Sequence, residues 1–159
     1  MNVKICCIAS PEEARMAIEA GARALGLVGK MPSGPGPIPD ERIAEIAAQV
    51  PPTIHTFLLT SETEADAIIA HYQRTQTTTI QLVDAVERAV YKKLRNALPT
   101  VQLVQVLHVQ DEDSIAEAQT IAPQVDALLL DSGSPNNAVK ILGGTGKAHD
   151  WNISRRIVE

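Results

Sequence analysis

The sequence predicts an α/β fold in which parallel strands alternate with helices. Short apolar runs rich in β-branched residues alternate with longer stretches of helical periodicity, and six such strand–helix units follow one another along the 159 residues. Most of the connections between them are short, as expected for parallel strands joined by right-handed crossovers. Two architectures fit this order, an open doubly wound sheet and part of a (β/α)8 barrel.

The predicted strands are short, and together with the helices they fill one domain, residues 1–159. The strands cover residues 3–8, 24–28, 53–59, 77–82, 101–109 and 126–130. A chain of this length can bury a sizeable core but is short for two domains. Because 45% of its residues are hydrophobic and only 3% aromatic, we expect a core of Ala, Val, Ile and Leu.

Helix starts are marked by capping residues followed by acids. Ser10 precedes Pro11 and two glutamates, which suit the positive end of a helix. Comparable starts lie at 39–41, 61–64, 111–114 and 150–151. The fourth helix, residues 87–98, lacks an obvious cap but consists of strong helix formers.

Two connections are long, and both follow a predicted strand. They cover residues 29–38 and 131–149, and they are polar and rich in Gly and Pro. Loops after strands gather at the carboxyl ends of a parallel sheet, where the sites of both candidate architectures lie. We therefore expect the functional site at this end.

Charge and composition exclude several classes of partner. The formal net charge is −5, which argues against binding to nucleic acid, because phosphate binding requires a basic surface. No apolar stretch approaches the length needed to cross a bilayer. The first residues lack the pattern of a signal peptide, so a cytoplasmic location is expected.

The two cysteines are adjacent in the first predicted strand, so their side chains should point to opposite faces. One face carries Val3, Ile5 and Cys7, and the other carries Lys4, Cys6 and Ile8. The first face is apolar and suits packing under helices, so we expect Cys7 to be a small buried residue. The second suits a barrel interior, and for Cys6 a core role and a reactive role are equally open. A disulfide is disfavoured by geometry, and no metal-ligand spacing is visible.

Four stretches together resemble the phosphoribosylanthranilate isomerase family of tryptophan biosynthesis. They are VKIC at residues 3–6, ALGLV at 24–28, DALLLD at 126–131 and GGTGKAHDW at 143–151. The resemblance implies a (β/α)8 barrel of which six of eight units are present. It also implies an Amadori rearrangement of N-(5-phosphoribosyl)anthranilate, a small phosphosugar substrate, without a metal or an organic cofactor.

The resemblance assigns roles to individual residues. Cys6 becomes the general base and Asp131 the general acid. Lys4, on the same strand face as Cys6, is a candidate substrate contact and a source of positive charge that would lower the pKa of the thiol. The resemblance makes Gly144, Thr145 and Gly146 part of a substrate-covering loop after the sixth strand. A Walker phosphate loop does not fit, because that pattern needs Gly at position 141 and Ser or Thr at position 148, where this chain has Ile and Ala.

The chain also departs from the family pattern. Cys7 stands where the family has Gly, Val83 where it has His, and the loop at 32–37 offers Gly36 but no arginine to pair with the anthranilate carboxylate. The last two units, which carry the phosphate site, lie outside these 159 residues. Open strand edges would then predict association of copies into a homo-oligomer. Two alternatives follow: an isomerase of another phosphosugar or aminosugar, and a non-catalytic binding or assembly fragment.

Overall fold

All six predicted strands form one parallel sheet, and they lie side by side in chain order. The computed structural model describes residues 2–133, 142 and 148–159. The strands are β1 (Lys4–Ile5), β2 (Ala24–Val28), β3 (His55–Thr60), β4 (Thr79–Leu82), β5 (Gln102–His108) and β6 (Ala127–Asp131). The helices are α1 (Pro11–Glu19), α2 (Asp40–Gln49), α3 (Ala65–Thr75), α4 (Arg88–Ala97), α5 (Asp113–Ile121) and α6 (Trp151–Val158), with a 3₁₀ turn at Ala122–Gln124.

The strand order decides between the two architectures that the sequence leaves open. Each strand pairs with the next one along the chain, so every crossover moves in the same direction. Right-handed crossovers in one direction place all helices on one face of the sheet, whereas a doubly wound sheet requires the order to reverse. Consecutive helices accordingly pack on each other, α1 on α2, α2 on α3, α3 on α4 and α5 on α6. The sheet is therefore wound as in a barrel.

The core lies between the sheet and these helices. Leu25, Leu27 and Leu58 point from β2 and β3 onto Ile43 and Ile46 of α2, and all five side chains have no exposed surface. A second cluster continues this layer under α3 and α4; it includes Ile68, Ile80, Leu82, Leu94 and Leu103. Burying each such side chain stabilises the fold by about 1.5–3 kcal/mol. Alternate strand residues therefore define a helix face and an inner face.

β1 is shorter than the sequence predicts, and its predicted apolar face is not buried. Ile5 is 41% and Val3 43% exposed. In the part of the chain that the structure describes, β1 lies at an edge of the sheet and pairs with β2 alone, so the prediction that this face packs under helices is wrong. Cys7 has a φ of +61°, which ends the regular strand, and its side chain is exposed rather than buried.

Helix starts follow the predicted caps in part. The Ser10 hydroxyl accepts a hydrogen bond from the Glu13 amide, and the Asp150 carboxylate accepts one from the Asn152 amide. α3 begins at Ala65 without a side-chain cap. Ser61 instead donates its hydroxyl to the Lys30 carbonyl at 2.9 Å, which ties the loop after β2 to the end of β3.

A buried polar cluster joins α3 to β3 and α2. His71 Nδ1 lies 2.9 Å from Thr60 Oγ1, and His71 Nε2 lies 3.1 Å from Asp40 Oδ1, within ion-pair distance but without hydrogen-bond geometry. Arg74 Nε donates to the other oxygen of Asp40 at 2.6 Å. Burial lowers the pKa of His71, and the charge of Asp40 opposes this shift in part.

Candidate active site

A cleft of about 240 Å³ opens at the carboxyl ends of the strands, on the inner face of the sheet. Its walls combine inner-face side chains with the loop that follows β2. The inner-face residues are Lys4, Cys6, Val28, Leu59, Gln81, Val83, Leu129 and Asp131. The structure thus brings Cys6 and Asp131, from the first and the last strand, to one cavity. Their chemical roles remain predictions.

Cys6 directly follows β1, and its sulfur lies against Gly26 of the neighbouring strand. A Cβ atom added at Gly26 would lie 2.4 Å from Cys6 Sγ, so the sulfur fills the space that the glycine leaves. The alternation of side chains along the strand predicted this inward position. The thiol is exposed to the cleft, as a reactive group must be.

Cys7 also lines this cleft, because its left-handed backbone turns the chain out of the strand pattern. Its Sγ lies 3.8 Å from the Pro35 carbonyl oxygen, within reach of a weak S–H donor. A Cβ atom added at Gly36 would lie 2.7 Å from Cys7 Sγ. Burial and the charge of Cys6 raise the pKa of the Cys7 thiol, and Lys4 opposes them more weakly.

Two contacts hold the Lys4 side chain on the inner face of the sheet. Its ammonium donates a hydrogen bond to Gln81 Oε1 and lies 4.7 Å from the centroid of the Phe57 ring. Gln81 is only 4% exposed, and sequence reasoning missed it as a site residue. The sequence held one signal for it: Gln81 is a polar residue within the apolar strand TIQL, and it lies on the same strand face as Val83.

Asp131 ends β6, and the Ser132 amide donates to its Oδ1 at 2.7 Å. The pairing register sets His108 of β5 beside it on the same face. His108 Nε2 lies 3.1 Å from the Val83 carbonyl oxygen, and its Nδ1 is buried with no hydrogen-bond partner among the described residues. Sequence reasoning missed this imidazole, although a histidine at the end of a predicted strand was visible.

The structure describes some of the remaining candidate positions and not others. Val83 lines the cleft with an apolar side chain, and Gly36 has a φ of +93°, which favours glycine. Leu142, in the long loop after β6, also lines the cleft. Gly144, Thr145 and Gly146 lie outside the described residues, so the predicted loop contacts stay predictions.

In residues 2–133, 142 and 148–159 no group of three or more His, Cys, Asp or Glu side chains could hold a metal ion. In the same part of the chain, no helix has the length and apolar character of a bilayer span.

Comparison with known proteins identifies the family. The family model of N-(5'-phosphoribosyl)anthranilate (PRA) isomerase matches residues 3–158. The N-(5'-phosphoribosyl)anthranilate isomerase of Microcystis aeruginosa is 31% identical over 151 residues, covering 95% of this chain and 69% of that protein. Several other isomerases of the same name match with similar identity, and the chain spans 65% to 71% of the length of those compared.

Solved structures agree with this result. The phosphoribosyl anthranilate isomerase of Thermotoga maritima superposes with a TM-score of 0.76 at 25% identity, over 96% of this chain and 69% of that one. A further isomerase, solved with reduced 1-(o-carboxyphenylamino)-1-deoxyribulose 5-phosphate, has a TM-score of 0.69 at 24% identity and covers 82% of this chain and 64% of that one. The chain therefore belongs to the N-(5'-phosphoribosyl)anthranilate isomerase family.

Proposed function

We propose that this chain carries the catalytic acid and base of a phosphoribosylanthranilate isomerase. The substrate is N-(5-phosphoribosyl)anthranilate and the product is 1-(2-carboxyphenylamino)-1-deoxyribulose 5-phosphate. The supporting observation is the shared cleft: Cys6 and Asp131 line one cavity of about 240 Å³ at the carboxyl ends of β1 and β6. Family membership favours this reaction over a different phosphosugar isomerase or a non-catalytic fragment.

Asp131 acts first, as the general acid. Its carboxyl group protonates the furanose ring oxygen, the bond from that oxygen to the anomeric carbon breaks, and the nitrogen lone pair forms an imine. The ring-opened sugar keeps all of its atoms, and the positive charge rests on the imine nitrogen. An aspartic acid at a strand end reaches the ring oxygen from the β6 side of the cleft.

Cys6 acts second, as the general base. Its thiolate removes the proton from the carbon next to the imine, and the electron pair of that C–H bond moves into the imine to form an enolamine. Tautomerisation of the enolamine gives the ketone. Since β1 and β6 are the two edge strands of this sheet, base and acid approach the sugar from opposite sides.

Lys4 is proposed as a substrate contact. Its ammonium, held by Gln81 and the Phe57 ring, provides a positive charge on the inner face near both thiols. That charge attracts an anionic substrate. The predicted loop residues Gly144, Thr145 and Gly146 would cover the substrate from above.

We also propose that the six strand–helix units are part of an eight-unit barrel. Within the described residues both edges of the sheet are unpaired, and Trp151 and Val158 of α6 are 72% and 79% exposed beside β6. Two further βα units, from the same chain or from another, would pair with β1 and β6, cover these side chains and supply phosphate contacts. Without them, we expect copies to associate through these edges.

A cytoplasmic location is proposed on chemical grounds. Both cysteines are free, and both are exposed. The reducing cytosol keeps such exposed thiols from being oxidised, which a thiolate base requires.

Complementation of a tryptophan auxotroph lacking the isomerase tests this function. The chain is expressed alone and fused to the C-terminal third of the Microcystis aeruginosa relative, and the fusion is expected to restore growth. In the purified fusion, Cys6→Ala and Asp131→Asn should each lower kcat/KM by about 10²–10⁴-fold, the range for general acid–base catalysis. Cys7→Ala, one residue from the base, is the matched control and should retain most activity. A folded Cys6→Ala or Asp131→Asn fusion with near-normal kcat/KM would refute the assignment.

A further inference from the structure

Both thiols of the chain face one cavity, although adjacent strand residues ordinarily point to opposite faces. The φ of +61° at Cys7 breaks the alternation, and Cys6 and Cys7 both line the cleft at the end of β1. Consecutive Cα atoms are about 3.8 Å apart, so the two sulfur atoms belong to side chains that start close together. Neither cysteine is in a disulfide, and both are exposed.

Glycines make room for both sulfur atoms. Cys6 Sγ fills the space beside Gly26, and Cys7 Sγ fills the space beside Gly36. The Cys7 thiol lies 3.8 Å from the Pro35 carbonyl oxygen, a long distance for a weak S–H donor. Burial, and after it the charge of Cys6, raises the pKa of the Cys7 thiol. Two free, solvent-accessible thiols on consecutive residues therefore open onto one cleft, which Lys4 also lines.

We propose that Cys6 and Cys7 form a binding site for trivalent organic arsenicals, that is, for a thiophilic centre that needs two thiolate ligands. A tetrahedral Zn²⁺ site would require further protein ligands, and the described residues contain no cluster of three. A monosubstituted As(III) centre keeps its carbon substituent and takes two sulfur atoms, which matches what the cleft provides. Soft thiolates are the ligands that such a centre prefers.

The binding step is a condensation and not a redox reaction. With phenylarsine oxide, two S–H bonds and the two arsenic–oxygen bonding pairs are lost, two As–S bonds form, and one water leaves with both thiol protons. Arsenic stays trivalent. Since the chelate uses the sulfur of Cys6, it would also block the proposed base; that consequence rests on the proposed function, whereas the binding itself does not.

Mass spectrometry and thiol counting on the purified chain test the site. One equivalent of phenylarsine oxide should add one phenylarsenic group and remove both titratable thiols. The adduct should survive excess 2-mercaptoethanol and be released by dithiothreitol. The variant Cys7→Gly suits the left-handed backbone and keeps Cys6 as a single thiol. It should bind the arsenical at least about 10²-fold more weakly than the wild type, because the second bond of a chelate forms intramolecularly.

The outcomes separate the possibilities. Cys6→Ser should lose the adduct in the same way, with circular dichroism confirming that each variant is folded. If Cys6→Ser fails to fold, the comparison of the wild type with Cys7→Gly decides alone. A wild-type adduct that 2-mercaptoethanol removes as readily as it does from Cys7→Gly would overturn the proposal. Chelation by a fusion that lacks isomerase activity would support the site and count against the proposed function only.

Discussion

Replacing Gly26 by alanine tests whether the base thiol lies where the mechanism needs it. An added Cβ atom would lie 2.4 Å from Cys6 Sγ, 3.1 Å from Cys6 Cα and 3.3 Å from Cys6 Cβ. The sulfur contact is much shorter than a van der Waals contact, so the thiol must rotate away. Overpacking of this kind costs about 1–3 kcal/mol. Alanine recovers about 0.5–1 kcal/mol through the lower entropy of the unfolded chain, so a net loss of about 1–2 kcal/mol is expected.

The same substitution in a Cys6→Ala background isolates the sulfur. Without Sγ only the two longer contacts remain, and Gly26→Ala should be close to neutral. The coupling energy between the two positions should then be about 1 kcal/mol or more. Urea unfolding of the four proteins, with unchanged m values, measures it. An equal cost of Gly26→Ala in both backgrounds would show that the thiol does not face this glycine, and the assignment of Cys6 to the cleft would fail.

Three further predictions concern stability. Cys7→Gly should raise the free energy of unfolding by about 0.5–1 kcal/mol. The left-handed backbone costs a non-glycine residue about 1–2 kcal/mol, and the greater entropy of glycine in the unfolded chain offsets part of this gain. A lower melting temperature of the variant would contradict the backbone strain at Cys7. Leu58→Ala should lower the free energy of unfolding, measured in urea, by about 2–5 kcal/mol. Leu59→Ala, on the cleft face of the same strand, should lower it clearly less. Equal losses would contradict the assignment of the two residues to opposite faces of the sheet. Because burial lowers the pKa of His71 below its unfolded value of about 6.5, the unfolded state binds more protons, and stability should fall as the pH drops below about 7. Asp40→Asn removes the charge that opposes the lowering of the His71 pKa, so the loss of stability should continue to lower pH in urea titrations. A loss that ends at the same pH in both proteins would show that Asp40 does not influence His71.

The order of the elements could be predicted from the sequence because it depends on local signals. Apolar periodicity gave six strands whose observed bounds differ from prediction by a few residues, as β5 at Gln102–His108 illustrates. The cap at Ser10 was predictable for the same reason, since one side chain and one nearby amide form it. The inward direction of Cys6 followed from alternation alone.

The wrong and missed predictions concern residues whose surroundings come from other strands and helices. Burial of Ile5 and Cys7 was inferred from the apolar pattern, but burial requires a covering layer, and β1 is an edge strand. The left-handed φ of Cys7 has no signal in a residue type that rarely adopts it. Gln81 and His108 were missed because their importance comes from neighbours on other strands, Lys4 and Asp131, which only the pairing register reveals.

The contact between Cys7 and Gly36 constrains how this site can change over evolutionary time. Any side chain at position 36 would collide with the sulfur of Cys7, as well as being strained by the φ of +93°. An arginine at position 36 would therefore require the Cys7 side chain to move, and glycine at position 7 would remove the collision. Substitutions at positions 7 and 36 should therefore depend on each other: a side chain at position 36 should cost less stability when position 7 is glycine.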